Sequence, residues 1–200
     1  MQKLIYLTLK GPSEGLFRDK GSKFLAYAFP MASENDLHLN LQHLKIKHHQ
    51  ASHFCYAWRL SPQSQLFRTH DDGEPNHTAG TPILHAIQSA DIWEIALVVV
   101  RYYGGTKLGR AGLVNAYKTA AVEALSAAQL EEKIPHFEFC IEMSYEQLPS
   151  VQIWINRQQV KPIHTEMGTF VLMRFSLPFT AKEAVDELQN LVMKLDIIEN

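Results

Sequence analysis

Apolar positions in this chain switch between a two-residue and a three-to-four-residue spacing, and the switches predict alternating strands and helices. Leu4–Leu9 and Lys23–Met31 read as strands, separated by a turn over Gly11-Pro-Ser-Glu-Gly15. Ser33 offers an N-cap to a helix reaching about His49, with Leu37, Leu41 and Leu44 as its apolar stripe. Its polar side holds the run His43–His49 with Lys45 and Lys47, the composition of a solvated face. His53–Leu60 alternates, with Phe54, Tyr56, Trp58 and Leu60 on one side and His53, Cys55, Ala57 and Arg59 on the other. Pro62 ends that strand and Gln65–His70 returns as its hairpin partner. After a polar loop, Thr81-Pro82 has the form of a helix start, followed by Ile83, Leu84, Ile87 and Ala90. Ile95-Ala-Leu-Val-Val-Val100 does not alternate, as expected of a strand covered on both faces. A helix from about Ala111 to about Gln129 turns Leu113, Tyr117, Ala120, Ala121, Ala124, Leu125 and Ala128 to the core.

Glu131-Glu-Lys-Ile-Pro135 reads as a linker. Beyond it the pattern predicts strand Phe137–Met143, helix Glu146–Arg157, strands Gln159–Thr165 and Thr169–Leu177, helix Ala181–Met193 and strand Lys194–Ile198. That order, βαββαβ, is ferredoxin-like. The chain is therefore expected to be α+β with two domains, residues 1–132 and 135–200.

Two hundred residues suffice for two small cores. The 46% apolar and 20% charged fractions are those of an ordinary globular chain. No apolar run approaches the roughly 20 residues that span a bilayer, and residues 1–7 lack a signal-peptide pattern. Cys55 and Cys140 fall in different predicted domains and suggest no disulfide, which fits a reducing cytoplasm. The net charge of −2 argues against a broadly basic nucleic-acid binder. Its distribution changes that picture a little: residues 1–132 hold 13 Lys/Arg against 12 Asp/Glu, and residues 133–200 hold 6 against 9. A local basic patch in the first part is what this allows.

The candidate chemistry gathers in two loops. Arg101-Tyr-Tyr-Gly-Gly-Thr-Lys-Leu-Gly-Arg110 joins a buried strand to a helix start, so glycine backbone, helix N-terminus and the cations Arg101, Lys107 and Arg110 combine as an anion-binding element. The spacing of Gly104, Gly105, Gly109 and Gly112 fits neither a P-loop nor a dinucleotide fingerprint, which argues against a nucleotide cofactor. A tight turn with solvated basic side chains is the alternative. The second loop, His70 to Gly80, holds Asp71, Asp72, Glu74 and His77. These side chains could hold a divalent cation. They could equally pair with Arg101, Lys107 or Arg110 if the two loops lie side by side. His53 and Cys55 share a strand face, where a cysteine is more often a small buried hydrophobe than a nucleophile. Alternation allows one of Tyr102 and Tyr103 to be exposed.

Three segments resemble the IMPACT/YigZ family: Ala51-Ser-His-Phe-Cys-Tyr-Ala-Trp-Arg59, Asp71-Asp-Gly-Glu-Pro75 with Thr78-Ala-Gly-Thr-Pro82, and Val98-Val-Val-Arg-Tyr-Tyr-Gly-Gly-Thr-Lys-Leu-Gly109. Gly21-Ser-Lys-Phe24 is similar to a shorter family element. The likeness covers roughly residues 15–130, and the tail resembles the second domain of the bacterial members. It implies an N-terminal two-layer α/β sandwich of the ribosomal-protein and elongation-factor-G type, and a C-terminal domain like the last domain of that factor. It further implies a setting in translation, where eukaryotic relatives regulate initiation with an additional N-terminal interaction domain that this chain does not show. Asn76-His77 stands where the family usually reads Ser-Gly. Ala111 and Asn115 replace a usual glycine and arginine.

The expected function is binding of RNA, the ribosome or a translation-associated protein without catalysis, cofactor, metal or membrane, and with a role in regulating translation. Arg101, Lys107 and Arg110 would meet phosphate, Tyr102 or Tyr103 would stack, and Gly104, Gly105 and Gly109 would allow close approach. Arg59 and Thr78 complete the candidate binding set. A hydrolase built on His53, Asp71, Asp72 and Glu74, or an adaptor using the ferredoxin-like domain, are the alternatives. Oligomeric state is left open.

Overall fold

The structure, a computed structural model, describes residues 5–198, so the expected start of the first strand at Leu4 lies outside the described residues. The chain divides into two compact units between Lys133 and Ile134.

The first unit contains strands β1 (Tyr6–Leu9), β2 (Ser13–Asp19), β3 (Ser22–Pro30), β4 (His53–Arg59), β5 (Phe67–His70), β6 (Ile95–Tyr102) and β7 (Leu130–Lys133), with helices α1 (Glu34–Lys47), α2 (Gly80–Ser89) and α3 (Gly109–Ser126). Five strands form an antiparallel sheet in the order β2-β3-β6-β4-β5. The unalternating strand β6 is at its centre, and Ile95 to Val100 are at most 1% exposed. One face of the sheet, with Phe24, Ala26, Cys55, Ala57, Leu97 and Val99, packs against α2 and α3. The other, with Tyr27, Phe54, Trp58, Val98 and Val100, receives Leu37 and Leu44 of α1. The sheet with α2 and α3 makes the α/β sandwich, and α1 adds cover on the opposite face. This explains why both sides of β4 are apolar.

Local chemistry explains several boundaries. Helix α1 begins at its expected cap, where the Ser33 N–H donates to Asp36 Oδ2 over 2.8 Å. Strand β2 begins inside the turn expected at residues 11–15 and continues through residues 16–19, where the pattern predicts no element. Its inward positions include Ser13 and Gly15 because α3 passes close by: a Cβ on Gly15 would lie 2.3 Å from the Ala124 nitrogen. The expected linker is also a strand, since β7 pairs with β1 from Leu9↔Leu130 to Tyr6↔Lys133. Its side chains are all exposed, so the backbone ladder holds it rather than apolar burial.

The second unit runs β8 (His136–Met143), α4 (Leu148–Gln158), β9 (His164–Met167), β10 (Val171–Pro178), α5 (Lys182–Asp186) and β11 (Lys194–Ile198). Its antiparallel sheet has the order β11-β8-β10-β9, which places a βαββαβ chain in the ferredoxin-like arrangement. Phe139, Ile141, Phe175 and Trp154 fill the core. Two elements differ from expectation. Gln159 closes α4 in the left-handed conformation, φ 54°, and Pro162 lacks a donor, so β9 starts only at His164. The last helix is broken, with 3-10 turns Phe179–Ala181 and Glu187–Asn190 on either side of α5.

Candidate functional site

The two loops meet. Near the end of strand β6 is Arg101, whose guanidinium donates to Glu74 Oε1 over 2.5 Å. Both side chains are buried, at 6% and 4% exposure, so water does little to screen the pair. The Tyr117 hydroxyl, on α3, donates to the same carboxylate oxygen over 2.8 Å, and His53 Nε2 lies 3.9 Å from it. Cys55 Sγ is 3.3 Å from the Tyr117 oxygen and 3.0 Å from the Asp71 carbonyl. Arg110, at the start of α3, donates to the Asn76 carbonyl over 2.9 Å, a second link between the loops. Tyr117 belongs to this centre although its periodicity marks it only as core. A buried tyrosine needs a partner for its hydroxyl, and that is the signal which could have found it.

Asp71 and Asp72 are committed to backbone. Asp71 Oδ1 accepts from the N–H groups of Ala79 and Gly80, and Oδ2 from that of His77. The start of α2 is thus capped by a carboxylate from the preceding loop, with Ala79 rather than Thr81 at the N-cap. Burial works to raise the Asp71 carboxyl, but the three N–H donors outweigh it and hold it below the usual range. Asp72 Oδ2 takes the Phe54 N–H over 2.7 Å, and its carbonyl lies 2.8 Å from His53 Nδ1. The acidic loop is therefore stitched to β4 and α2. His77 sits at φ 64°, a conformation that the glycine usual there in the resemblance adopts without strain.

This arrangement makes a pH-dependent contribution to stability. With its pKa depressed in the folded state, Asp71 stabilises fully above the unfolded carboxyl value near 4, and the contribution is lost as pH falls through the folded value. Asp71→Ala is expected to lower unfolding free energy by about 1–2 kcal/mol at pH 7. Urea midpoints for the two proteins should converge as the pH is taken below 4. A gap that persists unchanged in acid contradicts the assignment.

Several sequence expectations change here. Arg101 is a buried structural cation rather than a phosphate contact, and the exposed cations of its loop are Lys107 and Arg110. Arg59 lies at the far end of the sheet. It pairs with Ile95, whereas His53 pairs with Arg101, so six residues of strand, roughly 20 Å, separate Arg59 from the loop. Its guanidinium stacks 3.0 Å from the Trp93 ring centroid and lies 3.8 Å from Asp91. Thr78 is buried and its hydroxyl donates to the Pro75 carbonyl over 2.6 Å, closing the acidic loop instead of facing a ligand. Cys55 is fully buried, and desolvation pushes its thiol well above the ordinary range, against the needs of a nucleophile. Among the described residues no three His, Cys, Asp or Glu side chains are grouped to hold a metal ion. Asn115 and Ala111 are exposed on α3.

The tyrosines separate as alternation requires. Tyr103 is 48% exposed, while Tyr102 is half-buried, with its hydroxyl 2.9 Å from His48 Nδ1. His48 was expected on a solvated face; it is buried and also lies 2.8 Å from the Tyr27 hydroxyl, filling the gap between α1 and the sheet. Desolvation, aided by Lys47, lowers its pKa.

Glycine positions the basic loop. Gly104 rests against the β2–β3 hairpin tip, where Lys20 and Gly21 both have positive φ, 44° and 80°. A Cβ on Gly104 would fall 2.0 Å from the Gly21 carbonyl carbon, and the Gly104 N–H donates to Ser22 Oγ over 3.1 Å. The short Gly21-Ser-Lys-Phe24 element is thus the support of the loop. Beyond it, Lys107 and Arg110 stand beside the first turn of α3, whose N–H groups add partial positive charge.

Comparison with known proteins places this site in a family. The profile of the Impact N-terminal domain matches residues 20–125. The chain is 36% identical over 140 residues to the IMPACT family member YigZ of Escherichia coli (strain K12), a match covering 69% of each chain. It is 48% identical over 108 residues to an IMPACT family member in the pol 5′ region of Thermus thermophilus, covering 54% of this chain and 56% of that one. A crystal structure of a hypothetical protein, 29% identical, matches with a TM-score of 0.76 over 99% of this chain and 98% of its own.

Proposed function

The chain belongs to the IMPACT family, and from that premise we propose that it binds RNA or an RNA-containing translation partner without catalysis, in the regulation of translation. One observation carries the reading: Lys107 and Arg110 are exposed beside the N-terminus of α3, on a loop braced from behind by buried Arg101 and by the glycine contact. Phosphate oxygens suit such a site, since a helix N-terminus and exposed cations both favour an anion. The hydrolytic alternative finds its groups already employed. Glu74 holds Arg101 and Tyr117, Asp71 and Asp72 hold backbone, and the Cys55 thiol is inside the core.

Salt dependence tests the proposal. Each phosphate contact contributes about −0.7 to −0.9 to the slope of log K against log salt, so the two loop cations should give roughly −1.4 to −1.8. Lys107→Ala is expected to remove about 0.7–0.9 of that slope while leaving thermal stability unchanged. A flat salt dependence in the intact protein refutes phosphate binding at this loop.

A further inference from the structure

A second basic feature lies on the α1 side of the sheet, beside the loop. The antiparallel register sets Arg18 of β2, Lys23 of β3 and Tyr102 of β6 in one row across three strands. The adjacent row on that face holds Leu16 opposite Leu25. With Tyr103 these side chains line an open groove of about 480 Å³, within the size range of small-molecule sites.

The charges in this groove are unusual. Arg18 and Lys23 are directly opposite one another, both exposed, and like charges in that relation destabilise a sheet. Neither forms an ion pair among the described residues. Asp19, next along β2, points to the opposite face by the pleat, and Glu14 is two rows away, with Lys47 3.7 Å from its carboxylate. The row thus keeps two cations side by side with no acid to offset them. Next to them are exposed Leu16, half-buried Leu25 and the Tyr102 ring, fixed by its hydrogen bond to His48, while the Tyr103 ring stands at the edge of the groove, 5.4 Å from the Arg101 guanidinium carbon. Paired cations beside an apolar and aromatic floor complement a phosphate joined to a flat ring.

We infer that this groove seats one unstacked nucleotide of a single-stranded RNA, its phosphate between Arg18 and Lys23 and its base against Leu16, Leu25 and the tyrosines. The inference rests on the RNA-binding reading above and adds the form of the ligand. A duplex keeps its base faces stacked, whereas a single strand can present one. Tyr103 leads directly into the loop of Lys107 and Arg110, so the same strand continues onto the first site.

Fluorescence anisotropy with a labelled ten-nucleotide RNA, single-stranded and as a duplex, tests this against a free-nucleotide ligand. The intact protein should prefer the single strand by about tenfold or more. Arg18→Ala and Lys23→Ala should together flatten the single-strand salt slope by about 0.7. Tyr103→Ala should weaken single-strand binding by roughly tenfold and leave duplex binding unchanged. AMP or UMP binding as tightly as the oligonucleotide overturns the strand assignment in favour of a free nucleotide. If these three variants bind like the intact protein while Lys107→Ala loses affinity, the groove assignment falls and the RNA reading stands. If the intact protein retains neither RNA, both fall.

Discussion

Glu74→Ala is expected to destabilise the first unit by about 3–5 kcal/mol, because it leaves the Arg101 guanidinium buried without its counterion. The deletion also strips the Tyr117 hydroxyl of its acceptor. Among the described residues Arg101 Nε has no hydrogen-bond partner even in the intact pair, so this site already leaves one donor unmet. Arg101→Met should cost a similar amount for the converse reason. The double variant Glu74→Leu, Arg101→Met is expected to recover much of the loss, since an apolar pair of similar volume avoids desolvating either charge. Urea denaturation of Glu74→Leu, Arg101→Met and their double variant closes the double-mutant cycle. Single losses below about 1 kcal/mol would show that the pair behaves as an exposed one. The double variant also separates stability from function: if Lys107 and Arg110 carry the binding, RNA affinity survives in it.

Gly104→Ala ranks second. The added carbon would lie 2.0 Å from the Gly21 carbonyl carbon and 2.3 Å from the Ser22 nitrogen, both backbone atoms that no rotamer change can move. The expected cost is at the upper end of the roughly 1–3 kcal/mol seen for overpacking. The hairpin tip and the loop should separate, with loss of the Gly104–Ser22 hydrogen bond. Gly105→Ala is the informative control. It has open space around it but φ 86°, so its penalty is conformational, roughly 1–2 kcal/mol. Melting temperatures order the two. A Gly104 variant as stable as the intact protein contradicts the close packing.

What the sequence made legible follows from how each element is held. Elements stabilised by apolar burial announced themselves: the continuous run of β6, the alternation of β4, and the apolar stripe of α3 that begins at Leu113. Strand β2 was hidden because the proximity of α3 demands small or polar residues, Ser13 and Gly15, where a pattern reader seeks large apolar ones. Strand β7 was hidden because four exposed side chains say nothing about a backbone ladder. In the site, residue types gave the two loops and the sign of their charges. They could not say which cation is interior, since an arginine one residue beyond a buried run reads equally well as rim or core. They also placed Arg59 near the loop by its motif, whereas antiparallel pairing carries it to the opposite end of the sheet.

The β1–β7 ribbon bears on the order in which the first unit can assemble. Its ladder joins Leu9 to Leu130, so β1 emerges from a translating ribosome long before its partner exists. Until residue 133 has been synthesised, β1 has no strand to complete that ladder, and closing so long a loop loses conformational entropy that local contacts do not offset. The sheet, α2 and most of α3 can form earlier, from segments already available. The ribbon is then a late clasp, closing only after the rest of the first unit has begun to fold.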